Sequence, residues 1–312
     1  MNEEQRKEQV IGVAATAGAY ILWGFLPLYW KLVDHVPSGE VLAHRIIWSF
    51  AFMLFILFLM RRLKKFVREL KELASNRKKL FGIIFASLFI SLNWFSYIWA
   101  VNNDHVVEAS LGYYINPLIS VLLGIIVLKE RLSFWQLVSF LLALAGVLNL
   151  TLHFGSFPWV AFSLALSFGF YGLLKKLVAL GALTGLTIET MLITPVALIY
   201  IGMIGGNGTS AFQFGDMSTA LLLFGAGVVT AIPLLLFATG ANRISLSMIG
   251  FLQYIAPTIM LFLGIFLYDE PFSQVHLISF IFIWTALAIF SFANTKLLAR
   301  FEPRLSKAKS YN

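Results

Sequence analysis

The chain has no cysteine and little charge: of its 312 residues, 12% are Asp, Glu, Lys or Arg. The lack of cysteine excludes a disulfide framework, a thiolate metal site and a thiol nucleophile. Soluble domains contain about 25% charged residues, so water is not the natural solvent of this chain. Apolar residues are in excess, since 59% of the chain is hydrophobic and 30 residues are Phe. The composition therefore indicates a protein embedded in a lipid bilayer.

Sequence motifs for catalysis and nucleotide binding are also missing. There is no Gly-x-x-x-x-Gly-Lys-Ser/Thr loop of the kind that cradles nucleotide phosphates. No set of His, Asp and Glu has metal-ligand spacing, and no Ser, His and Asp set indicates a catalytic triad. We therefore predict that the chain is not an enzyme and uses no cofactor or metal, with no ATPase subunit evident as a partner.

Ten apolar runs are long enough to cross a bilayer, which takes roughly 20 residues per helix. They cover residues 11–30, 41–60, 80–101, 107–128, 134–152, 158–174, 185–204, 218–239, 245–268 and 274–294. All ten are predicted to be helices, because a backbone in lipid must satisfy its hydrogen bonds internally. The first run is too long for the apolar region of a signal peptide, so we interpret it as a retained span.

The positive charges alternate between successive connections. Of the 23 Lys and Arg residues, 21 lie in even-numbered connections or in the tails, and the exceptions are Lys31 and Arg45. Because cytoplasmic loops carry an excess of Lys and Arg, this pattern predicts a multi-pass plasma-membrane protein with both termini in the cytoplasm. It also argues against nucleic acid as a partner, since the net charge of +8 is not gathered in one basic domain.

Residues 114–140 recur 140 positions later as residues 254–280, with 12 of 27 positions identical, including Pro117 and Pro257. Five spans separate the copies, and an odd number reverses the direction of the chain. The duplication is therefore predicted to be inverted, as in many secondary transporters. The predicted fold class is an all-α membrane protein with ten transmembrane helices in two inverted five-helix repeats.

The duplication also predicts how the chain divides into domains. Residues 1–10 form a cytoplasmic N-terminal tail and residues 295–312 a cytoplasmic C-terminal tail. The two five-helix repeats occupy residues 11–152 and 157–294.

Five strings carry a family resemblance: HRIIWS at 44–49, NWFSYIWAVN at 93–102, SLGYYINP at 110–117, LSFGFYG at 166–172 and QYIAP at 253–257. Through them the chain resembles the drug/metabolite transporter superfamily, in its EamA family and most closely the RarD group. The resemblance implies two EamA-like repeats with cytoplasmic termini. It also implies transport of small metabolites or drugs across a bacterial plasma membrane.

Polar residues inside a span mark a bundle interior or a cavity, since Arg or Asp at mid-span costs roughly 2.5–3.5 kcal/mol. Arg45 lies about one turn inside the second span, next to His44. His44 is four residues from Glu40, so the two side chains share a helical face. We predict that Arg45 and His44 form an outer gate or anchor an anionic group. The alternative for Arg45 is a side chain that extends to the lipid headgroups.

Aromatic and amide side chains complete the predicted substrate site. Asn93, Trp94 and Tyr97 lie in the third span, where Asn93 and Tyr97 share a face. The alternative for Asn93 is a hydrogen bond that joins two helices.

Pro117 and Pro257 are predicted hinges, because each proline frees the carbonyl four residues earlier. Simple packing is the alternative, since proline is common in membrane helices. The residues that precede the two prolines are also predicted to bind substrate: Tyr113, Tyr114, Asn116, Gln253 and Tyr254.

Glu189 could carry a proton or cap its helix near the N-terminus, where the helix dipole favours an anion, and capping is the favoured interpretation. The sequence as a whole predicts a secondary transporter of small metabolites or drugs that works by alternating access, with export as the expected direction. A passive facilitator or channel is one alternative, and a membrane-embedded lipid-handling enzyme is another. The expected partners are a small-molecule substrate and the bilayer, with the chain acting as a monomer or homodimer.

Overall fold

The computed structural model describes residues 3–102, 106–153, 157–212, 216–267 and 273–293. Within these ranges the chain forms twelve α-helices and no β-strand. The helices are α1 Glu3–Lys31, α2 Ser38–Leu59, α3 Leu63–Ser75, α4 Arg77–Asn102, α5 Val106–Ile126, α6 Phe134–His153, α7 Trp159–Val178, α8 Ala182–Gly206, α9 Met217–Ala241, α10 Leu246–Gln253, α11 Ile255–Leu267 and α12 Gln274–Phe292.

Nine helices in these ranges are long and apolar enough to cross a membrane, if α10 and α11 are counted together as Leu246–Leu267. The helix α5 contributes a shorter apolar stretch, Leu111–Ile126. The prediction of an all-helical, multi-pass membrane protein is confirmed. The tenth crossing and the inverted arrangement of the repeats stay predictions.

Two segments differ from the sequence prediction. The helix α1 begins at Glu3, so most of the segment predicted as an N-terminal tail is helical. The connection between the second and third predicted spans contains a further helix, α3, because its apolar residues fall on one face. Phe66 and Leu73 of that face are buried in a cluster with Leu57 and Ile188. The predicted C-terminal tail lies outside the described residues.

Helices from the two halves of the chain pack against each other. The helix α7 packs on α4 and α5, α9 packs on α1 and α2, and α12 packs on α6. The contact between α2 and α9 is close because Gly227 has no side chain to separate the backbones. The Ser49 hydroxyl donates to the Gly227 carbonyl over 2.9 Å. Small residues at such interfaces are typical of membrane helices, which associate through close packing.

The two prolines of the repeat lie in different backbone contexts. The helix α5 continues through Pro117, whereas α10 ends at Gln253 and α11 begins at Ile255, two residues before Pro257. The helix is therefore interrupted just before the second proline, Pro257, and is not interrupted at the first, Pro117. The role of either proline as a hinge stays a prediction.

Carboxylates cap the first turns of two helices. Glu130 accepts hydrogen bonds from the backbone N–H of Leu246 over 2.7 Å and of Ser247 over 2.9 Å, at the start of α10. Asp216 is the N-cap of α9, where hydrogen bonds from Ser218 and Thr219 lower its pKa to about 2. A carboxylate is favoured at these positions because the helix dipole is positive at its N-terminus.

Candidate functional site

A cavity of about 130 Å³ lies where helices from both halves of the chain meet. Its wall is mostly apolar and aromatic, with several polar groups directed from α2, α4, α5, α9 and α10. The structure brings together most of the residues predicted to bind substrate. The following predicted residues line the cavity: Arg45, Asn93, Trp94, Tyr97, Tyr113, Asn116, Gln253 and the predicted hinge Pro257.

The Arg45 guanidinium is held between two indole rings. Its central carbon lies 4.6 Å from the ring centroid of Trp30 and 5.1 Å from that of Trp94. Arg45 Nε donates to the Thr230 hydroxyl over 3.1 Å. Cation–π contacts contribute about 2 kcal/mol or more when the pair is desolvated, so they help to hold a cation inside the bundle.

Arg45 forms no ion pair with a carboxylate in the described part of the chain, and neither Asp nor Glu lines the cavity. Among the described residues, neutral groups and aromatic rings surround the formal positive charge that Arg45 brings to the cavity. This is the arrangement expected of a site that accepts an anion, because an uncompensated charge in a low-dielectric interior is costly.

Asn93 makes a hydrogen bond between two helices and also has a place in the cavity wall. Its Nδ2 donates to the Leu164 carbonyl over 2.9 Å and lies 3.1 Å from the Ser167 hydroxyl, so it joins α4 to α7. The same residue also lines the cavity. Tyr97, one turn further on, faces Tyr113 with 6.1 Å between ring centroids.

Buried polar atoms at the cavity lack hydrogen-bond partners. In the described ranges they include Oδ1 of Asn116 and both Nε2 and Oε1 of Gln253. Gln253 is only 4% exposed. Buried polar groups in proteins are nearly always satisfied, so these atoms indicate a place for a ligand or bound water.

Three residues predicted to bind substrate lie away from the cavity, and His44 is the first. Trp48 Nε1 donates to His44 Nδ1 over 3.1 Å, and the His44 ring stacks on Phe212 with 4.8 Å between centroids. His44 Nε2 lies 3.9 Å from the carboxylate of Glu40, which itself accepts from the backbone N–H of Ala211 and Phe212. His44 therefore packs where the connection after α8 covers the start of α2.

Tyr114 and Tyr254 are the other two, and both belong to a buried core cluster between α5, α10 and α12. The Tyr114 hydroxyl donates to the Pro257 carbonyl over 3.3 Å, and its ring lies edge-on to Phe280. Tyr254 is 2% exposed. The sequence placed Tyr113 and Tyr114 together, but successive residues of a helix point about 100° apart, so only Tyr113 faces the cavity.

The favoured interpretation of Glu189 as a helix cap is wrong. Glu189 lies in the third turn of α8 and is 1% exposed. Its carboxylate pairs with Lys175 Nζ over 2.8 Å and accepts from the Tyr171 hydroxyl over 3.0 Å. From the sequence, Lys175 is counted among the cations of the connections, and this pair is missed because nothing in the local sequence links Lys175 to Glu189.

An aromatic cluster separates the cavity from the Lys175–Glu189 ion pair. Its members are Tyr20, Trp23, Phe168, Tyr171 and Phe237. Three of them, Tyr20, Trp23 and Phe168, line the cavity. Phe237 bridges from Phe168, at 5.3 Å between centroids, to Tyr171, at 5.8 Å. The cavity is thus closed toward this end of α7 by packed rings and then by a buried ion pair.

Comparison with known proteins agrees with the membrane fold. Residues 10–152 match the model of the EamA-like transporter family. A crystal structure of another protein, 19% identical, superposes with a TM-score of 0.69 over 94% of this chain and 99% of the other, which shows a shared fold.

Full-length relatives are also known. The uncharacterized transporter YojE of Bacillus subtilis is 51% identical and covers 94% of this chain and 97% of its own. RarD of Escherichia coli is 46% identical over 89% of this chain and 93% of its own. The chloramphenicol-sensitive protein RarD of Pseudomonas aeruginosa is 27% identical over 93% and 96%. The resemblance found in the sequence is thus confirmed, and the chain belongs to the EamA family of transporters.

Proposed function

We propose that this chain is a secondary transporter that carries small metabolites or drugs across the plasma membrane by alternating access. The observation that carries the proposal is the cavity at the meeting point of the two halves, with Arg45, Asn116 and Gln253 directed into it. Sites of this kind, at the interface between repeats, are typical of secondary transporters.

Helix packing supports two inverted repeats. The order of the spanning helices in the two predicted repeats pairs α1 with α7, α2 with α8, α4 with α9, α5 with α10–α11, and α6 with α12. Under this pairing, the contact of α1 with α9 has its counterpart in that of α7 with α4, and the contact of α2 with α9 in that of α8 with α4. The contacts of α2 with α8, α5 with α10 and α6 with α12 join counterparts directly. This is the pattern expected of a pseudo-two-fold axis between the repeats.

Under the predicted topology, the aromatic cluster and the Lys175–Glu189 pair close the cytoplasmic side of the cavity. For alternating access, both must open in the state that faces the cytoplasm. We propose Glu189 as a proton site. Protonation of its carboxylate would remove the negative charge that pairs with Lys175 and would so weaken this closure. A ligand or proton shifts the balance only if it binds one facing state better than the other.

The proposal also covers the location and the direction of transport. We propose a plasma-membrane location, cytoplasmic termini and export as the direction. A passive facilitator is the second candidate, because no carboxylate among the described residues lines the cavity to couple transport to protons directly.

The proposal is tested by comparing metabolites in medium and cytosol between cells that lack the chain and cells that overproduce it. We expect at least one small molecule to fall in the cytosol and rise in the medium on overproduction. A Tyr97→Ala variant at equal membrane levels should abolish that shift, since Tyr97 lines the cavity. An unchanged metabolite profile, or an equal shift with Tyr97→Ala, would contradict the proposal.

The same comparison separates the alternatives. Movement only down a concentration gradient would favour the passive facilitator. A new compound of altered mass, in place of a redistributed one, would favour an enzyme.

A further inference from the structure

We infer that the cavity binds a small organic monoanion with a planar apolar body. The ligand binds as an anion and not as a zwitterion. The inference rests on the proposed function, because it names the substrate class of the proposed transport site. It is carried by the charge balance, the free polar atoms and the shape of the cavity.

The charge balance calls for one negative charge. Arg45 Nε donates to the Thr230 hydroxyl, and the guanidinium carbon lies over the indole rings of Trp30 and Trp94. These contacts leave the terminal nitrogens of the guanidinium, which form the fork that matches a carboxylate in a bidentate pair. In the described residues no carboxylate takes that position. A bound carboxylate would therefore neutralise the site and satisfy its strongest donors.

The free polar atoms add a second contact set. Gln253 is 4% exposed and lines the cavity, and its amide lies beside the Tyr20 hydroxyl without a hydrogen bond of regular geometry in the described ranges. Its Nε2 can donate to an anion, while its Oε1 and the Asn116 Oδ1 can accept from a hydroxyl or amide of the ligand. The site thus offers several neutral hydrogen bonds beside one full positive charge.

The walls and the volume define the body of the ligand. Trp23, Trp30, Trp94, Tyr97, Tyr113 and Phe168 supply flat apolar faces. The cavity of about 130 Å³ is close in size to a cavity of about 150 Å³ that accepts benzene. This volume suits a single ring with one charged substituent.

The same charge balance disfavours amines. An ammonium group would lie near the Arg45 guanidinium, and within the described ranges no acidic side chain lines the cavity to receive it. Like charges that share a low-dielectric site repel strongly. For a zwitterionic amino acid, the unfavourable interaction of its ammonium group would therefore offset much of the binding free energy contributed by its carboxylate.

The inference is tested by isothermal titration calorimetry on the purified full chain in detergent, with three probes of similar size. Benzoate is the anion, benzamide its neutral counterpart of the same shape, and phenylalanine the zwitterion. Because a hydrogen bond to a charged group is worth more than one between neutral groups, benzoate should bind at least about tenfold more tightly than benzamide or phenylalanine.

Variants identify the residue that is responsible. Arg45→Gln should weaken benzoate binding at least about tenfold and leave benzamide binding within about threefold, whereas Arg45→Lys should retain part of the preference. The matched control is Arg68→Gln, which removes an exposed arginine on α3 that pairs with Glu72. It should leave all three affinities unchanged.

Several results would overturn the anion site: equal binding of benzoate and benzamide, equal binding of phenylalanine, no binding of any probe to the folded chain, or unchanged benzoate binding by Arg45→Gln. If Arg45→Gln does not fold, the comparison of benzoate with benzamide on the unaltered chain still decides the matter. Failure of the transport proposal is distinguishable. Benzoate binding through Arg45 without any metabolite shift keeps the anion site and removes the carrier. A metabolite shift confined to neutral or cationic compounds would keep the carrier and remove the anion site.

Discussion

The Lys175–Glu189 ion pair gives the sharpest prediction about what holds the bundle closed. The lysine is 7% and the glutamate 2% exposed at the side chain, and their atoms approach within 2.8 Å. Removing one partner from such a pair leaves an uncompensated charge in the interior. We therefore expect Lys175→Met alone to lower the free energy of unfolding by about 3–5 kcal/mol.

The double variant Lys175→Met with Glu189→Met should behave differently. With both charges gone, the site becomes apolar and of similar volume, so its stability should lie close to that of the unaltered chain or above it. Tyr171→Phe, which removes one hydrogen bond to the carboxylate, should cost about 1.5–3 kcal/mol. The exposed pair of Arg68 and Glu72 is the control, and Glu72→Gln should change stability by less than about 1 kcal/mol.

The assay is equilibrium unfolding of purified variants in mixed micelles by titration with a denaturing detergent, followed by helix content. A double-mutant cycle then isolates the coupling between the two residues. The reasoning would be refuted if the double variant were destabilised by the sum of the two single changes. If a single cysteine is introduced in the cavity of this cysteine-free chain, Lys175→Met or Glu189→Met should also make it react more readily with a thiol reagent supplied from the cytoplasmic side.

Three further predictions concern the cavity, a helix contact and a cap. Tyr97→Ala should abolish transport at normal membrane levels, because Tyr97 lines the cavity. Tyr114→Ala should instead lower the unfolding temperature and the membrane level, because Tyr114 is part of the buried core. If the two variants had equal effects on transport and on unfolding temperature, the assignment of Tyr97 to the cavity and of Tyr114 to the core would be contradicted. Gly227→Leu should destabilise the chain by about 1–3 kcal/mol or more, while Gly202→Leu, with open space around it, should be neutral when both are measured by unfolding. Glu130→Gln should cost about 1–3 kcal/mol through weaker bonds to α10, and a cost no larger than that of Glu72→Gln would refute the cap.

Several features of the fold could be predicted from the sequence because bilayer constraints act on local patterns. Runs of about 20 apolar residues identify helices whatever their neighbours are. The helix α3 was missed because its charges, including Arg68 and Lys71, resemble a cytoplasmic loop. Its apolar positions, Phe66, Leu70 and Leu73, recur at helical spacing and would have revealed it.

Site residues could be predicted where a single residue departs from a sequence pattern. They could not be predicted where the site depends on contacts between side chains on different helices. Arg45 stands out because it violates the sorting of charges. Lys175, the partner of Glu189, lies on a different helix, α7, and the approach of the two side chains depends on tertiary packing that local sequence does not encode. Tyr113 lines the cavity and Tyr114 packs in the core because of the rotation of α5 about its axis, which is set by its contacts with α7 and α10.

The most direct test of the account is the orientation of its two repeats. The chain has no cysteine, so single cysteines can be labelled without background. Phe134 and Gln274 are equivalent in the repeat, each is the first residue of its helix, and both are exposed. We expect an impermeant maleimide to label Gln274→Cys in intact cells and Phe134→Cys only after permeabilisation. Labelling of both positions from the same side would contradict the inverted repeat and remove the physical basis for alternating access.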